Sequence, residues 1–222
     1  MAYLFTNNNK TYLYTHVPKT GGTSIEFALR NSIDTNIITP NALVGHLSTH
    51  DLKQVCESNK LSYNTFCKFS TIRNPWSWYV SHYAYLLNRL RKSGEGFDPD
   101  FADECVVLKE ESFYNFIKFI YENRNKLVFA NKGKNTLKYQ QMIDWVKGCD
   151  YIIRMEDLTV DSLGVMGLNI EIPTEKKNTS IHKHYTEYYD DHTMQLVKDM
   201  HKDDIEIFGY RFGQQSTHSY AQ

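Results

Sequence analysis

The chain has 222 residues, with 25 Lys and Arg against 26 Asp and Glu, a formal net charge of −1. That balance excludes a general nucleic-acid or membrane-surface binder, which needs a basic excess, yet leaves room for a local anion site built from a few cations. At 41% hydrophobic and 14% aromatic the chain can bury a substantial core, and its length suits one domain over residues 1–222.

No apolar run approaches the ~18–20 residues that cross a bilayer. The start, MAYLFTNNNKTY, lacks the charged head and long apolar core of a signal peptide. The chain therefore reads as soluble and cytoplasmic. Cys56, Cys67, Cys105 and Cys149 form no C-x-x-C pair, so reduced structural thiols are expected rather than a zinc site.

In chain order, Thr11 to Val17 (TYLYTHV) is β-branched and aromatic and predicts a strand. Ser24 to Arg30 (SIEFALR) sets Ile25, Ala28 and Leu29 at helical spacing and predicts a helix. Between them runs His16-Val17-Pro18-Lys19-Thr20-Gly21-Gly22-Thr23-Ser24. The two glycines let backbone N–H groups turn inward and approach a ligand. The helix N-terminus adds partial positive charge and Lys19 a full one, while Thr20, Thr23 and Ser24 offer hydroxyl donors. Every component favours a bound anion.

A short strand is expected near Asn36 to Thr39. Ser48, with Asp51 three residues on, predicts a capped helix running to about Ser58, preceded by Gly45-His46-Leu47. A third strand covers Thr65 to Ile72. Asn74 as N-cap and Pro75 in the first helical position then open a long helix. Trp76, Tyr79, Val80, Tyr83, Leu86, Leu87 and Leu90 form its buried stripe. Ser77 and Ser81 fall on another face, free to meet a ligand, and Trp78 lies off the stripe, where it can stack on a ring.

Lys92 to Asp103, polar and holding Gly94, Gly96 and Pro99, is the candidate mobile loop. Phe113, Phe116, Ile117 and Ile120 mark an amphipathic helix, and the basic stretch Asn123 to Lys138 reads as a further loop. Tyr151 to Arg154 is a short strand, a helix is expected from about Leu158, and a last helix spans Glu187 to Lys202. His182-Lys183-His184 lacks a completing carboxylate or cysteine and reads as a basic loop rather than a metal site. Strands alternating with helices predict an α/β fold with a central parallel sheet flanked by helices. Ligands bind such sheets beyond the carboxyl ends of the strands, where both Lys19 and Arg73 lie.

The run Pro18-Lys19-Thr20-Gly21-Gly22-Thr23-Ser24 resembles the 5′-phosphosulfate loop of the sulfotransferases that use PAPS (3′-phosphoadenosine-5′-phosphosulfate). Phe69 to Ser81 resembles their 3′-phosphate site, which pairs an arginine closing a strand with a serine eight residues later; Arg73 and Ser81 fit. Asp203 to Tyr210 is similar to the ending of the carbohydrate-type and bacterial members, so the resemblance is to sulfotransferase family 2-like proteins and runs from about residue 11 to 212.

The resemblance implies a single P-loop-NTPase-like domain, PAPS as donor, PAP as product and no metal. Lys19 is implied at the bridging oxygen between sulfate and 5′-phosphate, with Thr20, Gly21, Gly22, Thr23 and Ser24 around the phosphosulfate. His46 matches the loop histidine that serves as base in bacterial and carbohydrate-type members, and His50 is the fallback. Asn178, Ser180 and Lys183 fall where relatives close a loop over the nucleotide. Glu156 and Asp157 match a family signature that ties strand to loops. By fold-level analogy the acceptor is a glycan, a glycolipid or a small metabolite.

Two other classes compete with this reading. The ATP-binding P-loop carries its lysine after the glycines, whereas Lys19 precedes them, and Gly133-Lys134 is followed by Asn135; both points disfavour an ordinary NTPase or kinase. A binding module that has lost catalysis is disfavoured by the joint presence of Lys19 and His46.

Overall fold

The computed structural model describes residues 2–40, 43, 46–93, 107–109, 111–125, 128–129, 137–138, 141–172 and 182–214. The chain divides into two compact units: one from Met1–Arg73, Met142–Asn178 and Gln215–Gln222, the other from Asn74–Gln141 and Thr179–Gln214.

The first unit holds a five-stranded sheet. Its elements are β1 (Tyr3–Asn7), β2 (Lys10–Thr15), α1 (Gly22–Asn31), β3 (Thr35–Ile37), α2 (Thr49–Ser58), β4 (Cys67–Ile72), α5 (Met142–Val146), β7 (Tyr151–Arg154) and α6 (Val160–Gly164). The strand order is β3-β1-β2-β4-β7. β2, β4 and β7 run parallel, with Tyr14 beside Phe69 and Ile72 beside Arg154. β1 is antiparallel to both β2 and β3. The expected central parallel sheet is therefore corrected to a mixed one, parallel at β2-β4-β7 and antiparallel toward the β3 edge. The cause is an unforeseen hairpin: Asn8 and Asn9 adopt φ of 47° and 61°, the conformation that a two-residue hairpin turn demands and that asparagine tolerates.

Alternation along the strands separates two apolar layers. Tyr3, Phe5, Tyr12 and Tyr14 pack with Ile25 and Leu29 of α1 and with Leu158 and Leu163. Leu4 and Leu13 point the other way, onto Leu43, Leu47, Leu52 and Cys56. Helices thus cover both faces. Because β2, β4 and β7 are parallel, the segments leaving Thr15, Ile72 and Arg154 emerge at one edge of the sheet.

The second unit is mostly helical: α3 (Pro75–Ser93), α4 (Phe113–Asn123), a hairpin of β5 (Val128–Phe129) and β6 (Leu137–Lys138), α7 (Asp191–Met200) and α8 (Lys202–Phe208). Asn74 caps α3 as expected, its Oδ1 accepting from the N–H groups of Trp76 (3.1 Å) and Ser77 (3.4 Å). Its amide donates to the Arg211 carbonyl (3.1 Å), which holds the C-terminal segment against the start of α3. Trp78 departs from expectation. It is 3% exposed, edge-on to Tyr79 and His201 and stacked on His82, so its faces are occupied by core rings. The expected last helix, Glu187 to Lys202, is shorter, α7 over Asp191–Met200, and a further helix, α8, follows after His201. His201 is fully buried, with Nδ1 2.7 Å from Asp204 Oδ2 and Nε2 3.1 Å from the Tyr79 hydroxyl.

Candidate active site

β2 ends at Thr15, and residues 16–21 form the loop that leads into α1. Two residues of this loop take left-handed backbone conformations: Lys19 at φ 63° and Gly21 at φ 92°. A glycine adopts that conformation freely; a lysine does so at a cost of about 1–2 kcal/mol. Gly21 is the N-cap of α1, and no side chain caps the helix. No acidic residue occupies its first turn. The partial positive charge of the helix end is thus left for a ligand, whereas α2 and α7 begin with complete capping boxes.

Lys19 is half-buried. Desolvation, reinforced by the Arg73 guanidinium, lowers its pKa to about 8. Arg73 leaves the end of β4, and its Nη1 donates to the Lys19 carbonyl (3.2 Å). The two expected anion motifs, 54 residues apart in sequence, therefore meet at the same sheet edge. Two like charges held this close repel each other, and an anion placed between them relieves that repulsion.

Of the remaining loop residues, Gly22 is buried, Ser24 half-buried and Thr23 exposed in the first turn of α1. The Thr20 hydroxyl is engaged within the loop. It is fully buried and donates to the Val17 carbonyl (2.7 Å), so it holds the loop from within, leaving only the Thr20 backbone to a ligand. Met155, in the turn after β7, packs beneath Gly21: a Cβ there would lie 3.4 Å from Met155 Cγ. That turn contains Glu156 and Asp157 and joins β7 to the loop's underside.

His46 precedes the capping box of α2, in which Ser48 Oγ accepts from the Asp51 N–H (3.2 Å) and Asp51 Oδ2 accepts from the Ser48 N–H (3.2 Å). Its Nδ1 lies 3.3 Å from the His16 carbonyl. A carbonyl only accepts, so Nδ1 carries the proton and Nε2 keeps its lone pair, the tautomer a general base needs. His50 sits exposed on α2, its Nε2 3.0 Å from the Gln54 amide, away from this contact.

His16 carries no expected role, yet it lies in the middle of the site. Its ring is 4.9 Å from that of His46 and is stacked on Tyr14. A Cβ on Gly22 would fall 2.0 Å from His16 Nε2, so the imidazole lies directly over the glycine. Burial, with the nearby charges of His46 and Lys19 among the further causes, pushes the His16 pKa well below the usual histidine value. Its place as the first residue past β2 was the available signal, since sites of such sheets lie at strand ends.

Ser81 lies on α3 in the second unit and is 7% exposed. His182, Lys183 and His184 are outward-facing in the same unit, His182 Nδ1 bonding the Lys183 carbonyl and His184 Nδ1 the Thr186 hydroxyl. Asn178, Ser180 and the expected mobile loop beyond Ser93 lie outside the described residues. Among the described residues, no helix is long and apolar enough to cross a membrane, and no group of three or more His, Cys, Asp or Glu could hold a metal.

No curated protein and no solved structure matches the chain. The model of the Sulfotransferase family matches residues 3–211, a span that takes in the loop after β2, the end of β4 and the C-terminal segment. The chain belongs to the Sulfotransferase family.

Proposed function

We propose that the protein transfers the sulfuryl group of PAPS to a hydroxyl of a glycan, glycolipid or small metabolite by in-line displacement. The observation that carries this reading is the pairing of Lys19 with Arg73 at an uncapped helix N-terminus, in a chain of this family. PAPS would supply a sulfuryl group on a phosphate leaving group. The chain supplies what such a donor needs: backbone N–H groups of residues 20–23, the Ser24 and Thr23 hydroxyls, and two cations; the Ser24 N–H itself closes the first turn of α1 onto the Gly21 carbonyl (2.9 Å). No step calls for a metal.

In this reading Lys19 meets the negative charge that develops on the leaving oxygen, a contribution largest in the transition state. His46 Nε2 takes the acceptor's proton as the new S–O bond forms. Arg73 holds the 3′-phosphate with its planar fork. Ser81 is kept in the same role on the family resemblance alone. A second assignment exchanges the histidines, favoured by the closeness of His16 to Gly22. Burial lowers the pKa of His16 and weakens it as a base, so His46 keeps the role.

The test is transfer of labelled sulfate from PAPS across an acceptor panel, using wild type, Lys19→Ala, His46→Ala and His16→Ala. The expected result is transfer by wild type and a fall of at least ~100-fold in kcat for the first two variants. Loss in His16→Ala with transfer retained in His46→Ala moves the base to His16. No transfer by wild type to any acceptor, with no PAPS turnover to PAP, overturns the proposal.

A further inference from the structure

Three buried hydroxyls run beneath the phosphate loop, and all belong to the first unit. Tyr14 on β2, Thr71 on β4 and Thr20 in the loop are each fully buried. Tyr14 OH lies 2.7 Å from Thr71 Oγ1, Thr71 Oγ1 lies 3.0 Å from Thr20 Oγ1, and Thr20 Oγ1 lies 2.7 Å from the Val17 carbonyl.

Each hydroxyl has a single proton, which fixes the direction of the chain. The Val17 carbonyl can only accept, so Thr20 donates to it. With that proton committed, Thr71 must donate to Thr20. With its own proton committed in turn, Thr71 accepts from Tyr14. The order is Tyr14 to Thr71 to Thr20 to Val17, with no freedom to reverse.

The last link closes a turn around Pro18 and Lys19. That turn holds Lys19 in its unfavourable left-handed conformation, and Arg73 grips the Lys19 carbonyl from the other side. Left-handed non-glycine residues persist where surrounding structure over-determines them. Here the surrounding structure is β4, the strand next to β2, which reaches the loop through the Thr71 side chain and, just past its end, through Arg73.

We propose that Thr71 is a positioning residue of the sulfuryl-transfer site: acting through Thr20, it fixes the Val17 carbonyl and so the turn that presents Lys19. The proposal rests on the role of Lys19 under Proposed function. The groups facing Lys19 are Arg73 from the end of β4 and His16 from the end of β2, with His46 behind His16. None of them is altered by changing Thr71.

Thr71→Val keeps the shape and removes both the donor and the acceptor; Thr71→Ser keeps both. Wild type, Thr71→Val, Thr71→Ser, Thr20→Val and Tyr14→Phe are compared for kcat and KM with PAPS, for the pH profile of kcat, and for melting temperature. The expected result is a drop of at least tenfold in kcat for Thr71→Val and Thr20→Val, with rescue in Thr71→Ser. Tyr14→Phe loses less, because Thr71 can still donate to Thr20. In the valine variants the alkaline limb of the profile moves upward from about pH 8, as Lys19 swings into water. A general loss of folded enzyme lowers the amplitude and leaves the limb in place.

The proposal is overturned if Thr71→Val and Thr20→Val, folded by melting temperature, keep wild-type kcat and the wild-type limb. It is also overturned if Tyr14→Phe is as damaging as Thr71→Val. Should one valine variant not fold, the other decides by the same two readouts. Absence of PAPS turnover in wild type is a different failure and strikes the functional reading instead.

Discussion

Lys19 is a cation that the fold holds where a cation is uncomfortable. It is half-buried, left-handed and beside Arg73. A lysine whose folded-state pKa is about 8, below the unfolded value of 10.5, binds fewer protons folded than unfolded between those limits. Its penalty is therefore full below pH 8, and stability gains from this group as pH rises through that window. Lys19→Met should raise stability at pH 7 by on the order of 1 kcal/mol while abolishing transfer. Urea denaturation and a turnover assay on the same preparation check both halves; a destabilised variant contradicts the account of a strained, desolvated charge. If the ammonium form is the active one, kcat/KM also falls as pH rises past about 8. Gly21 is the complementary case. Its φ of 92° and the Met155 side chain beneath it predict that Gly21→Ala costs about 1–2 kcal/mol, read as a lower melting temperature.

At the scale of elements, local chemistry was legible wherever a short-range rule decided the structure. The box of Ser48 and Asp51, the Asn74-Pro75 start of α3 and the β7 strand all sit where the sequence puts them. Ser48→Ala should cost about 1 kcal/mol and loosen the segment carrying His46, raising exchange of the α2 first-turn amides. The β1-β2 hairpin was not legible because its turn is Asn8-Asn9 rather than the stronger Asn-Gly signal. α8 lies beyond the end at Lys202 that the sequence suggests for the last helix, and His201, between α7 and α8, is held by a buried hydrogen bond to Asp204 that local sequence does not announce. Leaving His201 buried without that carboxylate is expensive. Asp204→Ala should therefore lose about 3 kcal/mol in urea denaturation. Trp78 departs from its expected place because α3 is packed on more than its apolar stripe.

For the whole molecule, the net charge of −1 hides the property that matters, since two cations converge at one sheet edge. That convergence follows from parallel pairing of β2 with β4, which sequence spacing alone suggests but does not dictate. Similarly, the place of His16 over Gly22 needs the loop's three-dimensional path. The same cations predict that saturating PAP raises the melting temperature, by an amount set by mass action and about 2.7 kcal/mol at a hundred times Kd. The most direct test of the central claim is calorimetric titration of the protein with PAP and, in parallel, with ATP. The account predicts binding of PAP, little or none of ATP, and loss of the PAP heat in Arg73→Ala. Binding of ATP in place of PAP, or of neither, would contradict it.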